Sequence, residues 1–305
     1  MKHWFTYPLV QHPSSPEFMS GDSVIKVAKA AEAAGFDGMG FTDHPAPSHK
    51  WLNAGGHDAF DPFVALAVAG AVTTKLLLIP NIIVLPYRNP FLTAKSSASV
   101  DCMSNGRFVL SVATGYLRSE YTALGMDFEA RNELFDEAID VIKQVWAGDE
   151  VSVEGHGYKA LGVTANPKPK HIPIWIGGNS PLTRRRVATV GDGWNPFPAS
   201  PGLAKTARTI PLAGLDDLAP MLDHLWRHVD AAGRDKADID VTFSPMLPGV
   251  GSADFNADAT LEQLDRMAAI GVTWTSGNVS GASLAQALES IEQYGKEVIA
   301  PYAAR

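Results

Sequence analysis

Apolar residues recur along this chain in two alternating rhythms. Val24, Val27, Ala28 and Ala31 fall at i, i+3, i+4 and i+7, one face of a helix over about 22–34. Gly35 follows where a helix ends on a left-handed residue. Gly38-Met-Gly-Phe-Thr42 is too short and too rich in small residues for another helix, and reads as a strand packed closely on both faces. The alternation then repeats. Strands are expected over 2–9, 76–84, 108–113, 172–176, 193–195, 239–243 and 272–275, with Pro80 marking an irregularity inside the third of the series. Helices are expected from Pro62, with Asp61 as N-cap, over 90–103, 119–124 and 130–147, after Pro181, over 215–232 and 259–269, and from Leu284. The stretch 151–161 reads as a hairpin excursion, and 197–213 is too poorly periodic to place.

Eight strands alternating with helices predict an α/β chain folded as a (β/α)8 TIM-like barrel, one domain over 1–305 with insertion loops. A doubly wound open sheet is the alternative. Gly177-Gly178 is no Gly-x-Gly-x-x-Gly fingerprint and does not follow the first strand, which counts against it. In a barrel, strand C-termini face the active site. Asp43 and His44, at the end of the second strand, are therefore the first candidate site. The loop from there to Phe60 is longer than packing needs, as a binding loop would be.

Composition narrows the function classes. The chain has 305 residues, 46% hydrophobic and 19% charged, with net charge −8. No basic stripe with interleaved aromatics is present, which argues against a nucleic-acid partner. Cys102 is the single cysteine, so neither an internal disulfide nor a thiolate metal cluster can form. No signal-peptide pattern or membrane-spanning apolar run is seen, and a cytoplasmic location is expected.

Several residues have side chains suited to chemistry. In Gly177-Gly-Asn-Ser-Pro181, the glycines let backbone approach a ligand, Asn179 or Ser180 can cap the next helix, and Pro181 suits its first position. The free N–H groups of that helix start would hold a phosphate, with Arg184 one turn in; an ordinary capped glycine turn is the alternative. At least two of Arg184, Arg185 and Arg186 are expected on a solvated helix face. His44 is a candidate proton donor or a loop histidine, and His12 a weaker one. A metal site from His44, His49, His57, Asp58 and Asp61 is conceivable, but no pair among them has His-x-x-x-His spacing, and none is expected. Glu120 reads as a surface carboxylate, while Tyr116 and Arg118 are better placed to face the barrel mouth. Trp51, Tyr87 and Trp194 could wall a flat ligand.

Taken together, Ala33-Ala-Gly-Phe-Asp-Gly38, Thr42-Asp-His44, Asn81-Ile-Ile-Val-Leu-Pro-Tyr-Arg-Asn-Pro90, Leu92-Thr-Ala-Lys95, Asp101-Cys-Met-Ser-Asn-Gly-Arg107, Val112-Ala-Thr-Gly-Tyr-Leu-Arg-Ser-Glu-Tyr121, Pro173-Ile-Trp-Ile-Gly-Gly-Asn-Ser180 and Gly191-Asp-Gly-Trp194 resemble the luciferase-like flavin oxidoreductase family, specifically its coenzyme F420-dependent branch. Ala207-Arg-Thr209 is a less distinctive match. The resemblance implies a TIM-like barrel, usually homodimeric, with the deazaflavin across the strand C-termini. It implies that Asp43 contacts the cofactor ring system and that His44 flanks its reactive face. Asn81-Ile82 would be a non-prolyl cis peptide behind the ring. Ala113, Thr114 and Gly115 would line the cofactor, and Gly177, Gly178, Asn179 and Ser180 would hold its phosphate. In the sugar-phosphate dehydrogenases of the family an acid follows the glycine after the fourth strand. Here Tyr116 stands there, which with Trp51, Trp194 and His12 points to a flatter, more apolar or carbonyl/enone-type small molecule.

The expected activity is F420-dependent hydride transfer, with His44 and Tyr116 as catalytic candidates. An FMN-dependent monooxygenase on the same fold, a non-catalytic deazaflavin carrier and a metal-dependent barrel hydrolase are the alternatives, and fold alone does not choose among them.

Overall fold

A computed structural model describes all 305 residues. The strands are β1 (Lys2–Thr6), β2 (Gly38–Gly40), β3 (Leu77–Leu78), β4 (Ile83–Val84), β5 (Leu110–Ala113), β6 (Val151–Gly155), β7 (Tyr158–Val163), β8 (Ile174–Gly177), β9 (Gly193–Asn195), β10 (Asp240–Phe243) and β11 (Trp274–Gly277). β6 and β7 form an antiparallel hairpin outside the barrel, as expected. The other nine are parallel, in the order β3-β2-β1-β11-β10-β9-β8-β5-β4. The two ends of that order are the two halves of the expected third strand. Pro80 brings no N–H to a ladder and interrupts it, and the Asn81-Ile82 peptide beside it is cis. Leu78 N–H donates to the Arg107 carbonyl at 2.8 Å, and Val109 N–H to the Leu78 carbonyl at 3.1 Å. These bonds join the lower half of that strand to the segment entering β5 and close the (β/α)8 barrel.

Helix boundaries follow local chemistry. Ser20 caps the helix Gly21–Ala34, which ends on Gly35 at φ 89°. The Asp61 carboxylate accepts from Phe63 N–H at 3.0 Å and Val64 N–H at 3.2 Å, with Pro62 at the first helical position. Between barrel and helices lies one continuous apolar layer, to which Val27, Leu66, Ile142, Val187, Leu225, Leu264 and Ile291 contribute. No helix is long and apolar enough to cross a membrane.

The barrel interior is filled differently. Trp4, Ile79, Val109, Trp175 and Trp274 form a separate cluster, with Trp175 and Trp274 edge to face at 5.2 Å. Large indoles fit inside a narrow barrel only where neighbouring strands are stripped of side chains. A Cβ on Gly193 would stand 2.3 Å from Trp175, and one on Gly40 would stand 2.2 Å from the Ile79 carbonyl oxygen and 3.0 Å from Trp4. The small residues of β2 and β9 are thus the counterpart of the tryptophans of β1 and β8. This plug seals the N-terminal end, so the barrel opens at the strand C-termini.

The segment 197–213 folds back on itself and is tied to the loop after β8 by the Asn179 side chain, which bonds Phe197 and Ile210. Ala199 and Leu212 make an antiparallel bridge, and between them runs a short helix, Pro201–Thr206, capped by Ser200. Its local pattern is weak because long-range bonds hold it.

Candidate active site

A cavity of about 380 Å³ opens where β2, β4, β5, β8 and β9 end, within the range of small-molecule sites. Thr42, Asp43 and His44 rise from β2, Asn81 and Ile82 from the broken third strand, and Ala113–Tyr116 from β5. Gly177, Gly178, Ser180 and Thr183 follow β8, and Asn195 ends β9. Phe197, Arg208 and Thr209 supply a wall from the segment the periodicity left unplaced.

His44 is held by a buried acid. Its Nδ1 lies 3.3 Å from Glu120 Oε2. Tyr87 O–H donates to the same oxygen at 3.0 Å, and Ala46 N–H donates to Oε1 at 3.3 Å. Glu120 has no exposed surface. This overturns its reading as a surface carboxylate. The helix Arg118–Ala123 is six residues long and covers the barrel mouth, so Glu120 and Tyr121 are both buried. Periodicity over so short a helix does not define a solvent face. Burial, reinforced by Glu120, drives the Tyr87 phenol far above its ordinary range, so Tyr87 only donates. Burial also raises the Tyr116 phenol, which stays neutral in the cavity wall.

Asp43 is committed to an ion pair. Its carboxylate receives two Arg88 bonds, at 2.8 and 3.4 Å, and Val84 N–H at 3.0 Å. Burial raises this carboxyl, and the Arg88 bonds oppose the rise. Arg88 also reaches Asp61 at 3.0 Å. Asp43 thereby ties the β2 end to the β4 end beneath the cavity.

Other sequence candidates stand behind the wall rather than in it. Trp51 packs on His44 at 4.4 Å between ring centroids and on His57 at 5.4 Å, bracing both. Trp194 has no exposed surface and donates from Nε1 to the Gly178 carbonyl at 2.9 Å, so it supports the glycine loop instead of a substrate. The Tyr87 ring is buried, with its hydroxyl on Glu120. His12 lies outside the cavity, its Nδ1 2.7 Å from Asp58 Oδ1. Asp58 and Asp61 are therefore both engaged away from His44. Arg118 points outward, onto Glu129 at 2.5 Å and over the Phe128 ring.

The glycine loop is bound chiefly to the protein itself. Gly178 N–H donates to the Asn195 carbonyl at 3.1 Å and Asn179 N–H to Thr209 at 3.2 Å. The Asn179 side chain donates to the Phe197 and Ile210 carbonyls at 2.9 and 3.0 Å and accepts from Phe197 N–H at 3.0 Å. Asn179 is a staple for 197–210, not a cap. Ser180 is the cap, accepting from Thr183 N–H at 3.1 Å. A Cβ on Gly177 would meet Ile82 Cδ1 at 2.3 Å, so that glycine makes room for the Ile82 side chain. Arg184 is buried, donating to the Asn179 carbonyl at 2.7 Å and to His224 at 3.2 Å, behind the loop. Arg186 is buried on Asp136 at 2.6 and 2.8 Å. Only Arg185 of the three is exposed, contrary to the expected solvated face. The neighbouring helices Arg131–Ala147 and Leu215–Ala231 supply partners that the local pattern does not reveal.

Near the glycine loop the cavity is lined by the Ser180 and Thr183 hydroxyls, 2.9 Å apart, by Thr209 and by the exposed Arg208, whose guanidinium lies over the Phe128 ring at 4.9 Å; each is a group able to donate to an anion. Arg208 sits at φ 53°, a left-handed conformation uncommon for arginine. Thr183 is not among the sequence candidates; the signal that points to it is its place three residues after Ser180, where an N-cap side chain finds its backbone partner. Arg208 and Thr209 carry only the Ala207-Arg-Thr likeness, and His57 is named only among the residues of the metal site that was not expected.

The family model described as luciferase-like monooxygenase matches residues 2–267. The F420-dependent glucose-6-phosphate dehydrogenase of Gordonia bronchialis is 30% identical over 187 residues, 59% of this chain and 54% of that enzyme, so the match spans about half of the relative. The crystal structure of monooxygenase RslO1 from Streptomyces bottropensis superposes with TM-score 0.80 at 18% identity, covering 99% of this chain and all of that one. The coenzyme F420-dependent tetrahydromethanopterin reductase of Methanopyrus kandleri superposes with TM-score 0.73 at 16% identity, covering 99% of each chain. At these identities the two structures speak for the fold. Sequence pattern, barrel geometry and the length of the family match agree: the chain belongs to the luciferase-like monooxygenase family.

Proposed function

We propose that the protein is an oxidoreductase that uses coenzyme F420 to move a hydride to or from a small organic substrate. The observation that carries this reading is a cavity lined both by the hydroxyl and guanidinium groups of Ser180, Thr183, Thr209 and Arg208 and by an acid-backed histidine. The 30% identical relative, by name F420-dependent, supports the choice of cofactor. The residues present fit such a group. Ser180, Thr183, Thr209 and Arg208 would hold its phosphate. Ile82 and the Ala113–Gly115 backbone would support its ring system, with Asp43 fixing the strand ends below. When bound, a deazaflavin supplies two-electron hydride chemistry. His44 holds or delivers the proton at Nε2 while Glu120 fixes its orientation through Nδ1. Tyr116 and the Trp51-backed loop close the substrate side, and Tyr116 in place of an acid disfavours a sugar phosphate. On this reading residues 1–305 act as one domain, in a cytoplasmic homodimer.

The test is a fluorescence titration of the purified protein with F420 and, separately, with FMN. Tighter F420 binding is the expected result, and a preference for FMN would transfer the protein to oxygen-using chemistry. Arg208→Gln removes one charge-assisted hydrogen bond and should weaken F420 binding by about 10- to 100-fold. The loss should shrink as salt screens this exposed guanidinium. An unchanged dissociation constant at low salt would remove Arg208 from the phosphate site.

A further inference from the structure

The loop 45–60 sets a second histidine beside the first. The His57 and His44 rings meet edge to face, 5.0 Å between centroids, and both line the cavity. We propose that the two divide the proton work: His44 gains and loses the proton, while His57 is a fixed hydrogen-bond acceptor selecting substrates that present a hydroxyl or N–H to it. This rests on the oxidoreductase reading of the same cavity.

The engaged ring nitrogens fix the tautomer of each histidine. His57 Nδ1 lies 3.0 Å from the Asp58 carbonyl oxygen. A carbonyl can only accept, so Nδ1 carries the hydrogen, and in the neutral ring Nε2 is left with a lone pair. His44 Nδ1 is likewise occupied, by the Glu120 carboxylate. The two rings therefore have the same tautomer but unlike partners.

That difference decides where a proton goes. On His44 a positive charge faces a fully buried carboxylate that neutralises it. The charged and titratable groups around His57 are His44, Asp58 and Glu120. Asp58 is turned away, with its oxygens on His12 at 2.7 Å and Ser14 N–H at 2.8 Å, while Glu120 is spent on His44, Tyr87 and Ala46. Two imidazolium rings at this separation repel, so one proton excludes the other. Burial beside Trp51 also lowers the proton affinity of His57. The two rings, alike in tautomer, thus differ in their partners, and different surroundings are how two like groups acquire separate roles.

The tautomer is also mechanically secured. Asp58, whose carbonyl sets it, is held by His12, by Ser14 and by its own N–H on the Gln11 carbonyl at 3.3 Å. This gives His12 a positioning task from outside the cavity. A lone pair fixed in a cavity wall has a selective consequence. A hydroxyl or N–H satisfies it, whereas a ketone or ether oxygen brought against it leaves two acceptors facing each other.

The test begins with protein labelled with 15N-histidine, observed by NMR with and without F420, the resonances assigned through His57→Gln and His44→Gln. His57 should show Nδ1–H with bare Nε2, and on acidification should protonate only after His44. An Nε2–H tautomer at His57, or protonation of His57 before His44, overturns the proposal. Cyclohexanol and cyclohexanone then serve as matched probes. The alcohol should bind about 10-fold more tightly and shift the His57 Nε2 resonance, and His57→Phe should abolish that preference. Equal binding of the two probes by the native protein overturns the selection role. Failure of F420 to bind would remove the cofactor reading while leaving the tautomer and probe results intact, so the two failures are separable.

Discussion

Glu120→Gln should lower turnover by about 100-fold or more while F420 still binds, because three donors converge on this one side chain. His44 Nδ1–H and Tyr87 O–H meet Oε2, and Ala46 N–H meets Oε1. An amide has one accepting atom. If its NH2 group faces Ala46, donor meets donor. If it faces His44, Nδ1 must become the acceptor and the hydrogen moves to Nε2, reversing the tautomer presented to the cavity. The loss expected on that account falls in kcat more than in KM, as for removal of the orienting acid of a catalytic histidine. Glu120→Leu adds a structural cost: the buried Tyr87 hydroxyl and Ala46 N–H lose their acceptor, worth about 1–3 kcal/mol for each group stranded. Steady-state kinetics and thermal unfolding of the two variants separate the effects. A glutamine variant with native kcat would show that His44 needs no acid behind it.

Gly40→Ala should cost about 3 kcal/mol, and Gly40→Val should leave little folded protein. The methyl group would stand 2.2 Å from the Ile79 carbonyl oxygen, which is backbone and cannot rotate away, and 3.0 Å from the Trp4 ring inside the barrel. Ile79 belongs to the link between β3 and β4, through which the barrel closes. Relief of the clash would therefore displace the strand that carries Asn81 and Ile82 to the cavity. Urea unfolding of the alanine variant measures the cost directly, and a midpoint equal to the native one would mean that the sheet yields at this point. A shift in F420 affinity should accompany the loss of stability, since the same residues connect barrel closure to the floor of the site.

These two residues show what local pattern conveys and what it omits. Gly40 was legible: a strand of Gly-Met-Gly announces close packing on both faces, although not that a tryptophan is one of the neighbours. Glu120 was not. Its helix is too short for periodicity to assign a buried face, and its partners lie 76 and 33 residues away. Arg184 and Arg186 failed the same way, since a run of three arginines reads as solvated until Asn179, His224 and Asp136 are brought beside it. The glycine loop was correctly located in the cavity wall, but the division of labour within it was not. Asn179 is spent on Phe197 and Ile210, Ser180 is the cap, Arg184 is turned behind the loop, and the cation that lines the cavity is Arg208, in a segment with no readable period.

The sequence by itself determined the alternation of strands and helices, the cap at Asp61, and the emergence of Asp43 and His44 from a strand end. Each depends on residues within one or two turns of each other, where steric and hydrogen-bonding rules act locally. Tertiary structure alone decided that Glu120 is buried against His44, that His57 stands beside it, that Arg208 joins Ser180 and Thr183 in lining the cavity while its guanidinium lies over Phe128, and that Trp51, Trp194 and His12 stand behind the wall. These groups come from loops and short helices, and their positions are set by hydrogen bonds and packing between distant parts of the chain.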